Sequence, residues 1–178
     1  DKDFCDDPYC WLMTKQYNFY YNDHRSFYRF LTYDDLYRLG DRLHRLYEDF
    51  ERMEDMVVAW SNKTPVQALS AYFNGINGIP DYDKGSACKR LCMFLRWMVR
   101  TGSQVDMGIW RKVSPDSLII PLDTHVHRIA LELGLTSRKQ ADMRTAVEIT
   151  NVMREVFPND PARGDFALFG YGVEHKNK

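Results

Sequence analysis

The chain has 178 residues, 44% of them hydrophobic and 14% aromatic, enough for one compact domain with a sizeable core and too much for a disordered chain. Its 24 Lys and Arg against 25 Asp and Glu leave a net charge of −1, which excludes a uniformly basic nucleic-acid coat and an acidic tail, but not a local patch. No run approaches the roughly 18 apolar residues of a membrane span, and no signal-peptide pattern opens the chain.

Residue 1 is Asp rather than Met, which points to an upstream part trimmed or processed away. The first thirty residues, rich in Tyr and Phe, show no readable periodicity, and a helical domain is expected over residues 31–178. Thr32 with Asp34 and Asp35 makes a helix start, and Leu36, Leu39, Leu43, Leu46/Tyr47 and Phe50 recur at three- and four-residue steps. Thr64-Pro65 reads as an N-cap followed by a proline in the first helical position, opening a short helix towards Phe73. Gly75, Gly78, Pro80 and Gly85 mark a loop. Ser86 is placed to cap a strong helix from Ala87 to about Arg100, followed by a broken stretch and the apolar run Leu118-Ile119-Ile120-Pro121. Asp123 opens the next helix and Gly134 ends it. A further helix is expected from Ser137 to Pro158, and a last one, capped at Asp160-Pro161, through Phe169. No alternating pattern of strand length appears, so the fold class is all-α, a bundle with short loops.

Cys5, Cys10, Cys88 and Cys92 are too few and too unevenly spaced for a disulfide framework. Cys88 and Cys92, one helical turn apart, read as reduced thiols in or beside a core, and the compartment reads as cytosolic.

On a helical wheel, Cys88, Leu91, Phe94, Leu95, Met98 and Val99 share one face, the expected core stripe. Lys89, Arg96 and Arg100 fall on the opposite face. From Lys84 to Lys112 there are seven basic residues (Lys84, Lys89, Arg90, Arg96, Arg100, Arg111, Lys112) and one acid, Asp106. Such a cluster is either a solvated helix face or a surface for the phosphates of DNA. Trp97, between arginines, is of a type that works in a nucleic-acid groove, though tryptophan is more often core.

Leu122-Asp123-Thr124-His125-Val126-His127-Arg128 is the most distinctive stretch. Asp123, His125 and His127 would share one face of a strand and hold a metal. On a helix, however, residues two apart point about 200° apart, so no metal site is expected. Asp123 then either caps the helix, accepting from backbone N–H groups, or serves as a catalytic carboxylate held there. The two roles are compatible.

This segment resembles the Val-Asp-Thr-His motif of the helix-hairpin-helix/Gly-Pro-Asp DNA glycosylase superfamily, typified by endonuclease III. Together with Cys88–Arg90, Phe94–Arg100, Val105–Trp110, Ile119–His125 and Asp165–Gly170, it also resembles the bacterial domain of unknown function 2400 family, placed near those glycosylases, from about Tyr28 to Glu174. The resemblance implies a compact multi-helix glycosylase-type fold, possible loss of an N-terminal helical segment, and action on damaged or abasic duplex DNA. It makes Asp123 the catalytic carboxylate and Lys89 the Schiff-base lysine. Lys89 lies 34 residues before Asp123, a wider gap than in endonuclease III and nearer that of the archaeal 8-oxoguanine glycosylases. Lys84, Arg90, Arg96, Arg100, Arg111 and Lys112 would contact DNA, with His125 and Trp97 behind the reacting groups. The Leu-Pro-Gly-Val-Gly-type turn is replaced by Asp83–Lys89, and no four-cysteine array follows Phe169, so no iron–sulfur cluster is expected. The resemblance therefore implies excision of a damaged base with β-lyase strand cleavage. The alternative is a DNA-binding or interaction module that keeps the fold without the chemistry.

Overall fold

A computed structural model of the chain describes residues 7–174, so Cys5 lies outside the described residues. Eight α-helices run through them: α1 (Pro8–Met13), α2 (Tyr33–Asp49), α3 (Met53–Ala59), α4 (Pro65–Tyr72), α5 (Lys89–Val99), α6 (Thr124–Glu132), α7 (Met143–Val156) and α8 (Gly164–Glu174). The fold is all-α apart from a small hairpin, β1 (Ser26–Tyr28) antiparallel to β2 (Leu31–Thr32). None of the helices is long and apolar enough to cross a membrane.

Local chemistry accounts for most helix starts. Thr32 and Asp35 form a reciprocal capping box at α2, and Thr64 and Gln67 form another at α4, where Pro65 takes the first position. Asp123 caps α6 by accepting from the Val126 N–H at 2.8 Å. At its other end, Gly134 N–H donates to Leu131 O and Leu135 N–H to Ala130 O, a Schellman closure that needs the positive φ of Gly134 (69°).

Three helix starts differ from the periodicity. The last helix, expected to be capped at Asp160-Pro161, begins at Gly164 after a 3-10 turn at Pro161–Arg163, and the Asp160 side chain makes no cap. The helix expected from Ser137 begins instead at Met143, because Asp142 caps it through Thr145 N–H and also pairs with Arg138. The helix expected from Ala87, capped by Ser86, begins at Lys89. Ser86 Oγ accepts from Cys88 N–H, and Cys88 itself sits in the left-handed region (φ 49°). Met53–Ala59, unassigned in the sequence, form α3.

Leu46, Met56, Leu69, Leu118, Ile120, Ile129 and Ile149 are fully buried at the centre. The apolar run at 118–120 is an extended strut, tied to α7 where Ile120 N–H donates to the buried Thr150 hydroxyl at 3.0 Å. The aromatic N-terminal residues build a second, smaller core: Trp11, Leu12, Tyr17 and Tyr20 pack on Leu36, Tyr37, Leu43 and Tyr47. Gly40 makes that contact possible, since a Cβ there would stand 2.6 Å from Tyr17 Cγ.

Gly→Ala inside a helix ordinarily stabilises by roughly 0.5–1 kcal/mol. Here the sign reverses: Gly40→Ala forces Tyr17 away and costs about 1–3 kcal/mol. Thermal unfolding checks this, with an expected fall in Tm of roughly 2–4 °C per kcal/mol.

Candidate active site

Three helix starts converge on one side of the molecule. Lys89 is the first residue of α5, and Arg90 is the second. Acidic residues are absent from this first turn, so two cations face the positive end of the helix dipole, an arrangement that costs roughly 0.3–1 kcal/mol for each. Asp123 stands at the start of α6, where the same dipole favours its negative charge. The two side chains meet: Lys89 Nζ donates to Asp123 Oδ2 at 2.8 Å, while Asp123 Oδ1 holds the Val126 N–H. They remain 47% and 33% exposed, so the amine and the carboxylate are both paired and reachable from solvent. Burial pushes the Asp123 carboxyl up, but the Lys89 bond, the Val126 N–H and the Lys89 charge hold it below the usual carboxylate range.

Asp165, in the first turn of α8, completes the group. Burial raises its carboxyl above the usual range, Arg96 opposes this, and the nearby Asp123 charge raises it further. Asp165 lies in the Asp165–Gly170 stretch singled out above, but nothing in the sequence separated it from an ordinary helix-start acid.

Residues 2–174 match the family described as protein of unknown function (DUF2400). The chain belongs to the DUF2400 family. The match includes the aromatic N-terminal segment, upstream of the motifs quoted above. No curated protein and no solved structure matches the chain.

The DUF2400 chain does not present Arg96 and Arg100 on an open basic face, and this corrects the wheel-based expectation. Both arginines are 6% exposed. Arg96 Nε donates to Asp106 at 3.2 Å and its Nη1 to Asp165; Arg100 bonds Asp160 at 2.7 Å and Asp106 at 3.0 Å. The Phe166 ring lies 4.7 Å from the Arg96 guanidinium and 5.3 Å from that of Arg100. The physical reason is a shifted stripe. Cys88, Leu91, Cys92, Leu95, Arg96, Val99 and Arg100 face inward, while Phe94 and Met98 are only half-buried. Segment 101–111, the turn before α8 and α8 itself cover the arginine side with one carboxylate each.

The other predicted cations are exposed. Lys84 pairs with Asp81, Arg90 donates to Gly78 O, and Lys112 pairs with Asp55. Arg111 is also exposed. Such surface pairs contribute about 0–1 kcal/mol and yield readily to other anions. Trp97 is 39% exposed, and its carbonyl accepts from Met107 and Gly108. Trp110 is buried edge-on against Phe94.

His125 sits between helices: its ring is 6.2 Å from Phe169, and a Cβ on Gly172 would come within 2.6 Å of its Nε2. It therefore spaces α6 from α8. His127 is buried and hydrogen-bonded to Arg138 O. Among the described residues no group of three or more His, Cys, Asp or Glu is arranged to hold a metal ion. Burial pushes the Cys92 thiol up to about 12, which makes it a packing group and not a nucleophile.

Removing Arg96 leaves buried carboxylates uncompensated. Arg96→Ala is expected to cost about 3–5 kcal/mol, read by chemical denaturation. An arginine held only for phosphate contact would leave the midpoint unchanged.

Proposed function

We propose that this DUF2400 chain has a glycosylase-type helical fold and is a DNA repair glycosylase with Schiff-base lyase activity. The observation that carries the reading is the meeting of Lys89 and Asp123 at 2.8 Å, open to solvent, from helix starts 34 residues apart. Asp123 lies in the segment that resembles the glycosylase Val-Asp-Thr-His motif, and Lys89 takes the place of the superfamily's Schiff-base lysine without the hairpin turn that precedes it there. The exposed Lys84, Arg90, Arg111 and Lys112 supply cations for phosphates on duplex DNA.

The damaged base leaves the stack before reaction. Lys89 Nζ passes a proton by way of Asp123 Oδ2 to water and attacks C1′. The C1′–N bond breaks, and the base departs with the bonding pair and takes up a proton. Positive charge develops on the sugar during this step, and the fixed carboxylate of Asp123 stabilises it. The C1′–O4′ bond of this N,O-acetal then breaks, O4′ takes up the proton that leaves the lysine nitrogen, and C1′ and the nitrogen form an imine. Water takes a proton from C2′, the C2′–C3′ double bond forms, and the C3′–O bond breaks with its electron pair leaving on the phosphate, which cuts the strand. These steps use only the amine, the carboxylate and water.

Borohydride trapping on abasic duplex DNA tests the reading. The amine condenses with the sugar aldehyde and releases water; hydride then reduces the imine to a stable amine. Wild-type protein is expected to give a covalent complex and Lys89→Gln none. Asp123→Asn keeps the α6 cap but lowers excision by on the order of 10²–10³-fold. An adduct with Lys89→Gln equal to wild type overturns the lysine assignment. Salt-sensitive binding with no adduct in wild type makes the chain a binding module.

A further inference from the structure

A cavity of 330 Å³ opens beside α5, between the β1–β2 hairpin, the start of α2 and the loop after α4. Its size is at the lower end of small-molecule sites, which run to about 1,000 Å³. Its walls are apolar: Phe27, Phe30, Leu39, Ile76 and Ile79 among others. Polar side chains edge it, Tyr28, Arg29, Thr32, Asp35, Asn77 and Arg90, and of these Asp35, Asn77 and Arg90 tie the hairpin, the loop and α5 together.

The hairpin over this cavity is unusual in two ways. Phe27, Tyr28 and Phe30 are 46%, 58% and 53% exposed, although side chains this large gain from burial. Arg29, at the hairpin tip, is held in the left-handed region at φ 53°, a cost of about 1–2 kcal/mol for a residue other than glycine. The loop side is shaped as well. Gly78 sits at φ +86°, and a Cβ there would stand 3.1 Å from Leu31. Asn77 Nδ2 pins the hairpin by donating to Phe30 O at 2.9 Å.

The polar edge has spare capacity. Asp35 Oδ2 takes the Thr32 N–H, the Thr32 hydroxyl and Asn77 Nδ2, which leaves Oδ1 without a hydrogen bond among the described residues. Burial pushes the Asp35 carboxyl up, but the bonds from Thr32 and Asn77 and the Arg38 charge hold it below its usual range, so it is an ionised acceptor at neutral pH. Arg90 uses Nη1 on Gly78 O at 2.8 Å, with its guanidinium 5.8 Å from the Phe30 ring, and has further N–H donors. Arg90 is also the neighbour of Lys89, with Cα atoms about 3.8 Å apart across one peptide. The cavity and the reactive amine therefore flank the same helix start.

We infer that this cavity receives the extruded base, and that the base it takes carries a ring N–H beside a carbonyl. The N–H faces Asp35 Oδ1, the carbonyl faces Arg90, and the ring lies against Phe30 and the isoleucines. This rests on the glycosylase reading and adds the pocket and the substrate class. Ionised acceptor beside cationic donor is the complement of a lactam edge, and a base without that edge forgoes both contacts.

The test uses single-turnover excision from duplexes carrying hypoxanthine, 8-oxoguanine, uracil or 1,N6-ethenoadenine, with borohydride trapping on abasic DNA in parallel. The last base has neither the N–H nor the carbonyl. Wild type is expected to excise at least one of the first three and not the fourth. Ile79→Trp fills the cavity and Asp35→Asn alters its edge; each lowers excision by about tenfold or more while trapping on abasic DNA, which has no base to house, persists. Excision by both variants at the wild-type rate overturns the assignment. So does excision of ethenoadenine, or excision of none of the four by protein that traps abasic DNA. Failure of wild type to trap abasic DNA instead removes the glycosylase reading beneath it. Should Ile79→Trp fail to fold, Asp35→Asn decides.

Discussion

Arg96 and Arg100 hold three largely buried carboxylates together, and the position of everything around the site depends on that. Asp106 comes from the segment after α5, Asp160 from the turn before α8, and Asp165 from α8 itself. Each arginine binds two of them and Asp106 bridges both, so removing either arginine leaves buried negative charge undercompensated, at a cost of several kcal/mol. So α5, the covering segment and the start of α8 behave as one body. The α6 helix joins it through the close approach of Gly172 to His125 and Ile129. The exposed Lys89–Asp123 pair, which contributes about 0–1 kcal/mol by itself, does not hold these helices; they hold it.

That division of labour bears on chemistry. A reactive pair has to be fixed in direction yet free to exchange its partner for a substrate. Asp123 is fixed because one oxygen is spent on capping α6, and the other is left for Lys89. Lys89 stands where the helix dipole opposes a cation, and its favourable contact is with Asp123, not with α5. Local rules would place an acid, not Lys89 and Arg90, in that first turn. A local rule broken in the middle of a well-packed fold is a recurrent mark of function.

Much of this was readable from residue types. Capping residues located α2, α4 and α6 because Thr32, Thr64 and Asp123 have short oxygen-bearing side chains directly before apolar periodicity. The same logic misplaced α7, where Ser137 and Asp142 both offer a cap and only the Arg138 pairing and Thr145 favour the second. The α5 wheel failed in an instructive way. Its period was right, but Arg96 and Arg100 were set outside because arginine is usually solvated. Their carboxylate partners are between 6 and 69 residues away, so no local pattern reveals them. The cavity was illegible for the same reason: Phe30, Asp35, Asn77 and Arg90 come from separate segments, and the hairpin that joins them is too short to show alternation.

The central claim is that the ε-amine of Lys89 is the group that bonds to the sugar. Digestion of the borohydride-reduced complex with abasic DNA, followed by peptide mass spectrometry, locates that bond directly. The account predicts the reduced sugar adduct on the peptide carrying Lys89, at Lys89 itself. An adduct on another lysine or on the terminal amine, with Lys89 unmodified, contradicts it.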